Sequence, residues 1–300
     1  MDNTVKKITL FAPAKINLCL GVRSRRDDGY HNIESIMQTV DLCDRVSVAS
    51  RVSEDAKIEI ICKKMPELPA GKNIAFRAAR EFFSHVGIEK YDISVDIEKN
   101  IPSEAGLGGG SSDAAATIRA LNMLFNTSLS EKELMEIGAR VGADVPFLIH
   151  RGTAAVTGIG EKLLDCTPTP TAAVLIAFPK KEKISTKDAY SKIDKIGAFS
   201  EDDAFENMKS AMRSCDIKKI SAASYNVFEK VIDENSSVFD IKKTMLENGA
   251  DMSLMSGSGS AVFGIFDSAA NAKKTRDILS YFCETFISGM FSENSSYIES

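Results

Sequence analysis

The run I-P-S-E-A-G-L-G-G-G-S-S-D-A-A-A-T-I-R-A-L-N-M-L-F, Ile101 to Phe125, sets Gly106, Gly108, Gly109 and Gly110 within five residues of one another. Glycine reaches positive φ at little steric cost and lets backbone N–H groups come close to a ligand, and the cluster, Gly109 included, is expected to use that freedom. A strand leads in, because Tyr91 to Ile97 alternates polar and apolar residues with period two. A helix leads out, because Ala114, Ile118, Leu121 and Phe125 recur at helical spacing. The glycines therefore stand at a helix N-terminus, where unpaired N–H groups and the positive end of the macrodipole favour an anion such as a phosphate. Ser111 and Ser112 add hydroxyl donors in the first turn. No G-K-[ST] follows, so the loop is not a Walker A sequence, and it does not follow a short first strand as G-x-G-x-x-G does. A plain glycine turn with a capped helix is the competing account of the cluster taken alone.

Outward from this loop, the bulk properties describe a globular chain. It has 300 residues, 44% hydrophobic and 26% charged, enough for one large or two smaller domains. A net charge of -5 argues against a nucleic-acid surface, which needs clustered Lys and Arg. The pairs Lys6-Lys7, Lys63-Lys64 and Lys218-Lys219 are expected on solvated faces. No apolar run approaches the roughly 20 residues of a membrane helix, and Lys15 breaks the apolar N-terminus too early for a signal peptide. Neither membrane nor nucleic-acid partners are expected, and the location expected is cytoplasmic. The six cysteines are scattered without C-x-x-C and are expected as small buried hydrophobes; with three dispersed histidines, they offer no metal cluster.

Lys6 to Val22 is expected to form an opening strand pair around Ala12-Pro13-Ala14-Lys15. Lys15 among apolar neighbours is either a snorkelling strand lysine or a cation with a task. A turn at Asp28-Gly29 precedes an apolar strand, and Tyr30 beside His31 either covers a core edge or stacks on a planar ring. Asn73 to His85 is predicted as a helix stopped by Gly87, and Ser130 with Glu133 is a capping box opening a helix that runs to Gly142. Asp144 follows that helix, where a carboxylate gains nothing from the dipole. A hairpin is predicted around Gly158-Ile159-Gly160, and the Thr167-Pro168-Thr169-Pro170 stretch is the candidate domain boundary. Beyond it come a strand from Ala172 to Phe178, helices at Lys187 to Ile193, Glu201 to Arg213, Ala222 to Asp233 and Val238 to Asn248, and strands at Met252 to Met255 and Ala261 to Phe266. A helix from Ala269 to about Phe282 and a strand from Phe286 to Phe291 close an α+β pattern. Ser256-Gly257-Ser258-Gly259 is either a two-residue hairpin turn or a second backbone cradle.

The order P-x-x-x-G-L-G-G-G-S-S-D-A-A resembles the phosphate-binding motif of the GHMP kinase superfamily, whose members move the γ-phosphoryl of ATP to a small molecule. A-P-A-K-I-N-L-x-L-x-V and R-x-D-G-Y-H-x-I-E-S-I-M-Q near the N-terminus, G-A-D-V-P-F at Gly142 to Phe147 and S-G-S-G-S at Ser256 to Ser260 complete the set. The D-G-Y-H element narrows the resemblance to the branch whose acceptor is a cytidine-diphosphate-linked methylerythritol, in non-mevalonate isoprenoid precursor biosynthesis. A GHMP kinase for another small molecule and a non-catalytic nucleotide-binding relative are the alternatives. The segment between Ser185 and Ala250 matches weakly, and Tyr225-Asn226-Val227-Phe228-Glu229 only partly fits the family's N-D-F-E-like element.

The resemblance implies a two-domain α+β GHMP kinase fold, with a ribosomal-protein-S5-like nucleotide-binding domain over residues 1–166 and a ferredoxin-like domain over 171–300. It implies Lys15 and Asp144 as the catalytic pair. ATP would lie on Pro102, Ser103, Glu104, Ala105, Gly106, Leu107, Gly108, Gly109, Gly110, Ser111 and Ser112, with Asn73 and Lys99 on the adenine side. Asn17 would position the pair or the substrate, Tyr30 would stack on cytosine, and His31 would bond its edge. Tyr190 is chosen to close the other face, with Phe178 and Phe199 as competitors, and Ser256, Gly257, Ser258 and Gly259 would touch phosphate or substrate. ATP chemistry implies Mg²⁺, for which no protein ligand is assigned. A monomer or homodimer is expected.

Overall fold

The computed structural model describes residues 5–64, 71 and 73–291. Two antiparallel strands dominate its first sheet, β1 (Lys6–Arg25) and β2 (His31–Arg51), paired from Lys6 opposite Ser50 to Arg25 opposite His31. β2 also pairs through its later half with β4 (Tyr91–Glu98) and through its earlier half with β5 (Thr153–Thr157). β3 (Ala56–Ile61) joins β4 in parallel, and β6 (Lys162–Leu164) closes the other edge against β5. The expected opening strand pair is instead one continuous strand. Its register shifts between Pro13 and Ala14, where proline has no N–H to give the ladder, so the chain bends without reversing.

Helices α1 (Ile74–Val86), α2 (Gly109–Leu124), α3 (Glu131–Val141) and α4 (Val145–His150) share one apolar core with this sheet. Their ends are set by local chemistry. Asn73 caps α1 by accepting from Ala75 N, Gly87 ends it in the left-handed region at φ 68°, and the Ser130–Glu133 capping box is formed. The short helix α4, opened by Pro146 in its first turn, had no counterpart in the sequence reading.

The second sheet has the order β10-β7-β9-β8, antiparallel throughout, from β7 (Ala173–Pro179), β8 (Met252–Met255), β9 (Val262–Phe266) and β10 (Cys283–Gly289). Between β7 and β8 run α5 (Thr186–Ile196), α6 (Ala204–Arg213), α7 (Ile217–Ala223) and α8 (Ser237–Glu247), and α9 (Ala269–Leu279) joins β9 to β10. Each inner strand is joined to an edge strand by a helical crossover, β7 to β8 and β9 to β10, which gives the ferredoxin-like arrangement. The helix expected over Ala222 to Asp233 does not form. Tyr225 O accepts from Leu20 N of β1, and Asn226 caps a single 3₁₀ turn (Val227–Lys230), so contacts to the first sheet override helical spacing. The last helix and strand each end earlier than expected, at Leu279 and Gly289.

The middle of β1 is buried on both faces. One side meets the α1–α4 core, and on the other Ala14, Ile16 and Leu18 pack with Ile176, Phe205, Met212 and Phe263 of the second half. A strand covered twice is apolar nearly throughout, which is why a buried lysine there needs an explanation. Lys6-Lys7, Lys63-Lys64 and Lys218-Lys219 are all exposed, whereas of the cysteines only Cys19 and Cys283 are fully buried and Cys215 is exposed. No helix among the described residues is long and apolar enough to cross a membrane.

Candidate active site

The glycine-rich run leaves β4 and enters α2 with Gly108 as its N-cap at φ 70°. Gly106, at φ 79°, also needs the left-handed region; Gly109 and Gly110 do not, because they form the first turn of the helix. Their smallness serves packing instead. A Cβ on Gly109 would stand 3.0 Å from Ile101 Cγ2, and one on Gly110 3.3 Å from Ile74 Cγ2 of α1. In front of the helix N-terminus lies a cavity of about 360 Å³. Asn73, Lys99, every residue from Pro102 to Ser111, and Asp113 line it. Ser112 departs from the expectation, since its buried hydroxyl donates to the Pro13 carbonyl, 2.7 Å away. Asn73 faces the cavity while its Oδ1 caps α1.

Lys99 is not a free cation. Its ammonium bonds Asp44 Oδ2 and, at 2.8 Å, Asp113 Oδ2, all three groups being buried. Asp44 Oδ1 accepts from Asn100 N and Ile101 N, so this triad sets where β4 ends and the glycine loop begins. Burial alone pulls Lys99 down, but Asp113 and Asp44 together hold it above the ordinary lysine range. Burial pushes the Asp113 carboxyl up to about 8 against the opposing pull of Lys99. Two carboxylates and one ammonium cannot all stay charged cheaply in a dry site, and Asp113 is the group pushed toward its protonated form. The sequence reading missed both aspartates.

The second glycine loop meets the first backbone to backbone. Met255 pairs with Val262, which leaves six residues in the loop and rules out the two-residue turn. Gly257 and Gly259 have φ 59° and 93°. Ser256 Oγ donates to Gly106 O at 3.0 Å and Ala261 N to Ala105 O at 3.1 Å. A Cβ on Gly106 would come within 2.1 Å of the Ser256 carbonyl oxygen. Asn226 braces the loop from behind, its Nδ2 donating to Met255 O and Gly257 O, both at 2.8 Å.

Lys15, Asn17 and Asp144 converge in a second cavity of about 210 Å³, which shares Gly106 and Gly108 with the first. Lys15 Nζ is 2.7 Å from Asn17 Oδ1 and 4.0 Å from Asp144 Oδ2. Burial draws the lysine below its ordinary range, and Asp144 pulls it part of the way back. Asp144 does not merely trail a helix, as its position after Gly142 implied. It is also the N-cap residue of α4, at the point where that helix meets the cavity. Gly257, Ser258, Tyr190, Thr186 and Phe228 line it from the second half of the chain. Thr186 and Ser258 share a hydrogen bond of 2.7 Å that the sequence reading missed. A larger cavity of about 670 Å³, between α6 and α7, contains none of the predicted site residues.

Tyr30 lies at the turn joining β1 to β2 and is 61% exposed. His31 is buried, with Nε2 2.7 Å from Asp194 Oδ1 of α5, and its ring stacks on Tyr190 at 4.7 Å between centroids. Tyr190 lines the second cavity, and Phe178 and Phe199 are not among its lining residues. The open ring face of Tyr190 is nonetheless covered by His31, so Tyr30 and Tyr190 do not form an open sandwich here. Asp194, which holds His31 in place, carried no sequence signal.

The pairing of a glycine cradle with a buried lysine and an aspartate invites comparison with known kinases. Family models described as GHMP kinases N terminal domain and GHMP kinases C terminal match residues 73–152 and 198–285. The relative from Caldicellulosiruptor bescii, a 4-diphosphocytidyl-2-C-methyl-D-erythritol kinase, is 40% identical over 96% of this chain and 99% of its own. The chain belongs to the GHMP kinase family, in that branch. The enzyme of the same name from Clostridium tetani is 41% identical over 92% of this chain and 98% of its own. A crystal structure of 4-(cytidine 5'-diphospho)-2C-methyl-D-erythritol kinase superposes with a TM-score of 0.77 at 28% identity, covering 95% of this chain and 99% of that one. Membership makes this chain an ATP-dependent small-molecule kinase, with the two-domain α+β GHMP fold.

Proposed function

We propose that this kinase transfers the γ-phosphoryl of ATP to the 2-hydroxyl of 4-diphosphocytidyl-2-C-methyl-D-erythritol, giving the 2-phosphate and ADP. The observation that carries the reading is that Gly106 and Gly108 line both cavities, so a triphosphate lying on the α2 N-terminus would point its last phosphoryl at Lys15 and Asp144. The acceptor oxygen attacks the γ-phosphorus, the bond to the β-phosphate oxygen breaks, and the hydroxyl proton passes to Asp144. Lys15 neutralises charge gathering on the phosphoryl, and Asn17 holds Lys15 in place. Backbone N–H groups of residues 103–111 would cradle the phosphates beside Pro102, with Asn73 and the Lys99 triad bordering the nucleotide; Ser112 would act through its bond to Pro13.

Tyr30 and the His31–Tyr190 pair would bind the cytosine, and Ser256 to Gly259 would close over substrate and phosphate. No group of three or more His, Cys, Asp or Glu side chains among the described residues is placed to hold a metal. Mg²⁺ is therefore proposed to arrive with the nucleotide, held mainly by phosphate oxygens and water. The domains are proposed as 1–166 and 171–300, the division falling between β6 and β7; the outermost residues of both spans lie outside the described ones. A cytoplasmic monomer or homodimer completes the proposal.

The test is an ADP-coupled assay with the cytidine-linked substrate. The wild type turns it over, and Lys15→Met and Asp144→Asn each lower kcat and kcat/KM together while still binding ATP, the pattern of groups acting in the transition state. Turnover of Asp144→Asn within a few-fold of wild type removes Asp144 from the mechanism.

A further inference from the structure

We infer that Ser35 is a positioning residue for phosphoryl transfer, because its hydroxyl holds the Asn17 carboxamide in the one orientation that offers an oxygen both to Lys15 and to the second glycine loop. The inference rests on the proposed role of Lys15. Lys15 Nζ, at 2.7 Å, and Gly257 N, at 3.0 Å, both point at one end of the Asn17 amide. An ammonium and a backbone N–H can only donate, so that end must be Oδ1. Nδ2 is then directed at Ser35 Oγ, 2.9 Å away. Ser35 gives its own proton to the Cys19 carbonyl, 2.5 Å away, which leaves a lone pair for the incoming N–H. Asn17 and Ser35 are both fully buried, so water cannot replace either partner.

Strand register makes this chain of bonds possible. Asn17 lies opposite Met37 and Cys19 opposite Ile36, so Leu18 is an extra residue on β1. An unbroken ladder would set Cys19 opposite Ser35; the bulge sets it opposite Ile36 instead, and the Ser35 hydroxyl reaches the Cys19 carbonyl from the neighbouring position. The same amide oxygen thus ties Lys15 to Gly257, whose carbonyl is held in turn by Asn226. Placement of the phosphate-side lysine and placement of the second loop are a single hydrogen-bonded arrangement, and Ser35 supplies the buried acceptor that the Asn17 Nδ2 needs.

Removing the hydroxyl leaves Nδ2 as a buried donor without a partner. A flipped amide is worse, since it sets N–H against the Lys15 ammonium. Ser35→Ala should therefore loosen the acceptor that steadies the ammonium. Of the groups around Lys15, Asp144 faces it as the charged partner from the start of α4, Tyr190 approaches from α5, and the β1 and β2 neighbours Asn17, Ser35 and Met37 are neutral. Weakening a bond to the charged form lowers the pKa of a lysine, so the alkaline limb of kcat should move to lower pH.

The experiment measures kcat, KM and their pH dependence for Ser35→Ala and Ser35→Thr with ATP and the cytidine-linked substrate. It also measures the pH-dependent rate at which Lys15 is labelled by an amine-specific reagent, read by mass spectrometry. Ser35→Ala is expected to lose about tenfold or more in kcat with KM little changed, to shift the alkaline limb downward, and to lower the labelling pKa of Lys15; Ser35→Thr restores all three. Wild-type kcat and labelling in Ser35→Ala overturn the inference, as does a Ser35→Thr that folds yet is as impaired as Ser35→Ala. Should Ser35→Thr fail to pack, Asn17→Asp takes its place. Its carboxylate accepts from Lys15 without help from Ser35, so the labelling pKa should rise, and a fall counts against the inference. If the wild type does not turn over the cytidine-linked substrate, the proposed function falls, while the labelling arm still decides whether Ser35 orients Asn17.

Discussion

Replacing Gly106 by alanine is the sharpest perturbation of the junction between the two glycine loops. The new Cβ would stand 2.1 Å from the Ser256 carbonyl oxygen, against about 3.4 Å for an ordinary contact, so the loops must part by about 1.3 Å. The bonds from Ser256 Oγ to Gly106 O, 3.0 Å, and from Ala261 N to Ala105 O, 3.1 Å, do not survive that separation. Each is worth about 0.5–1.5 kcal/mol net. Holding an alanine at φ 79° adds about 1–2 kcal/mol. The total, about 2–5 kcal/mol, corresponds to a fall in Tm on the order of 3–8 °C for a chain of this size. Because Gly106 borders both cavities, KM for ATP should rise and kcat should fall in the same variant. Gly87→Ala is the control. It carries a similar φ of 68° with nothing within 4 Å of its Cβ, so it should cost only the backbone term and leave kinetics unchanged. Differential scanning calorimetry and steady-state kinetics read both. A Gly106→Ala enzyme matching the control in Tm and ATP affinity would refute the interlocked-loop reasoning.

The remaining predictions concern the buried triad and the base site. Asp113 has a folded pKa of about 8 against 3.8 for the free side chain, so its contribution is fully present below pH 3.8 and is lost as pH rises through about 8. Lys99, held above its ordinary range, does not titrate in that window. Asp113→Asn should therefore flatten the decline of Tm between those values, and an unchanged slope would assign the decline to other groups. Tyr30→Ala should weaken kcat/KM for the cytidine-linked substrate by roughly 1–3 kcal/mol, the range for a base stacked on an aromatic ring, with ATP affinity unchanged. Methylerythritol phosphate without the nucleotide should be a poor substrate of the wild type, because binding energy from the remote cytidine is what positions the reacting hydroxyl. Equal turnover of both compounds, with Tyr30→Ala silent, would reduce the D-G-Y-H element to a turn.

What the sequence by itself determined is the local grammar. The period-two run before Ile101, the helical spacing after it and the Asn73, Gly87 and Ser130–Glu133 caps are written in neighbouring residues, and each forms as expected because short-range sterics and hydrogen bonds decide it. The motif order also brought Lys15, Asp144 and the glycine loop to one place. The tertiary structure alone decided matters that depend on residues distant in the chain. Ala222 to Asp233 reads as a helix until Leu20 claims the Tyr225 carbonyl. Lys99 reads as a lone cation beside the nucleotide until Asp44, 55 positions away, and Asp113 pair with its ammonium. Tyr30 and Tyr190 read as two walls of a base site with His31 at its edge, yet Asp194 draws the imidazole onto the tyrosine. Ser35 had no signal of its own, since a serine on an apolar strand looks alike whether it faces a void or an amide. A hydrogen bond between buried groups is set by where two strands cross and by which bulge shifts their register, and the sequence next to either residue holds no trace of that.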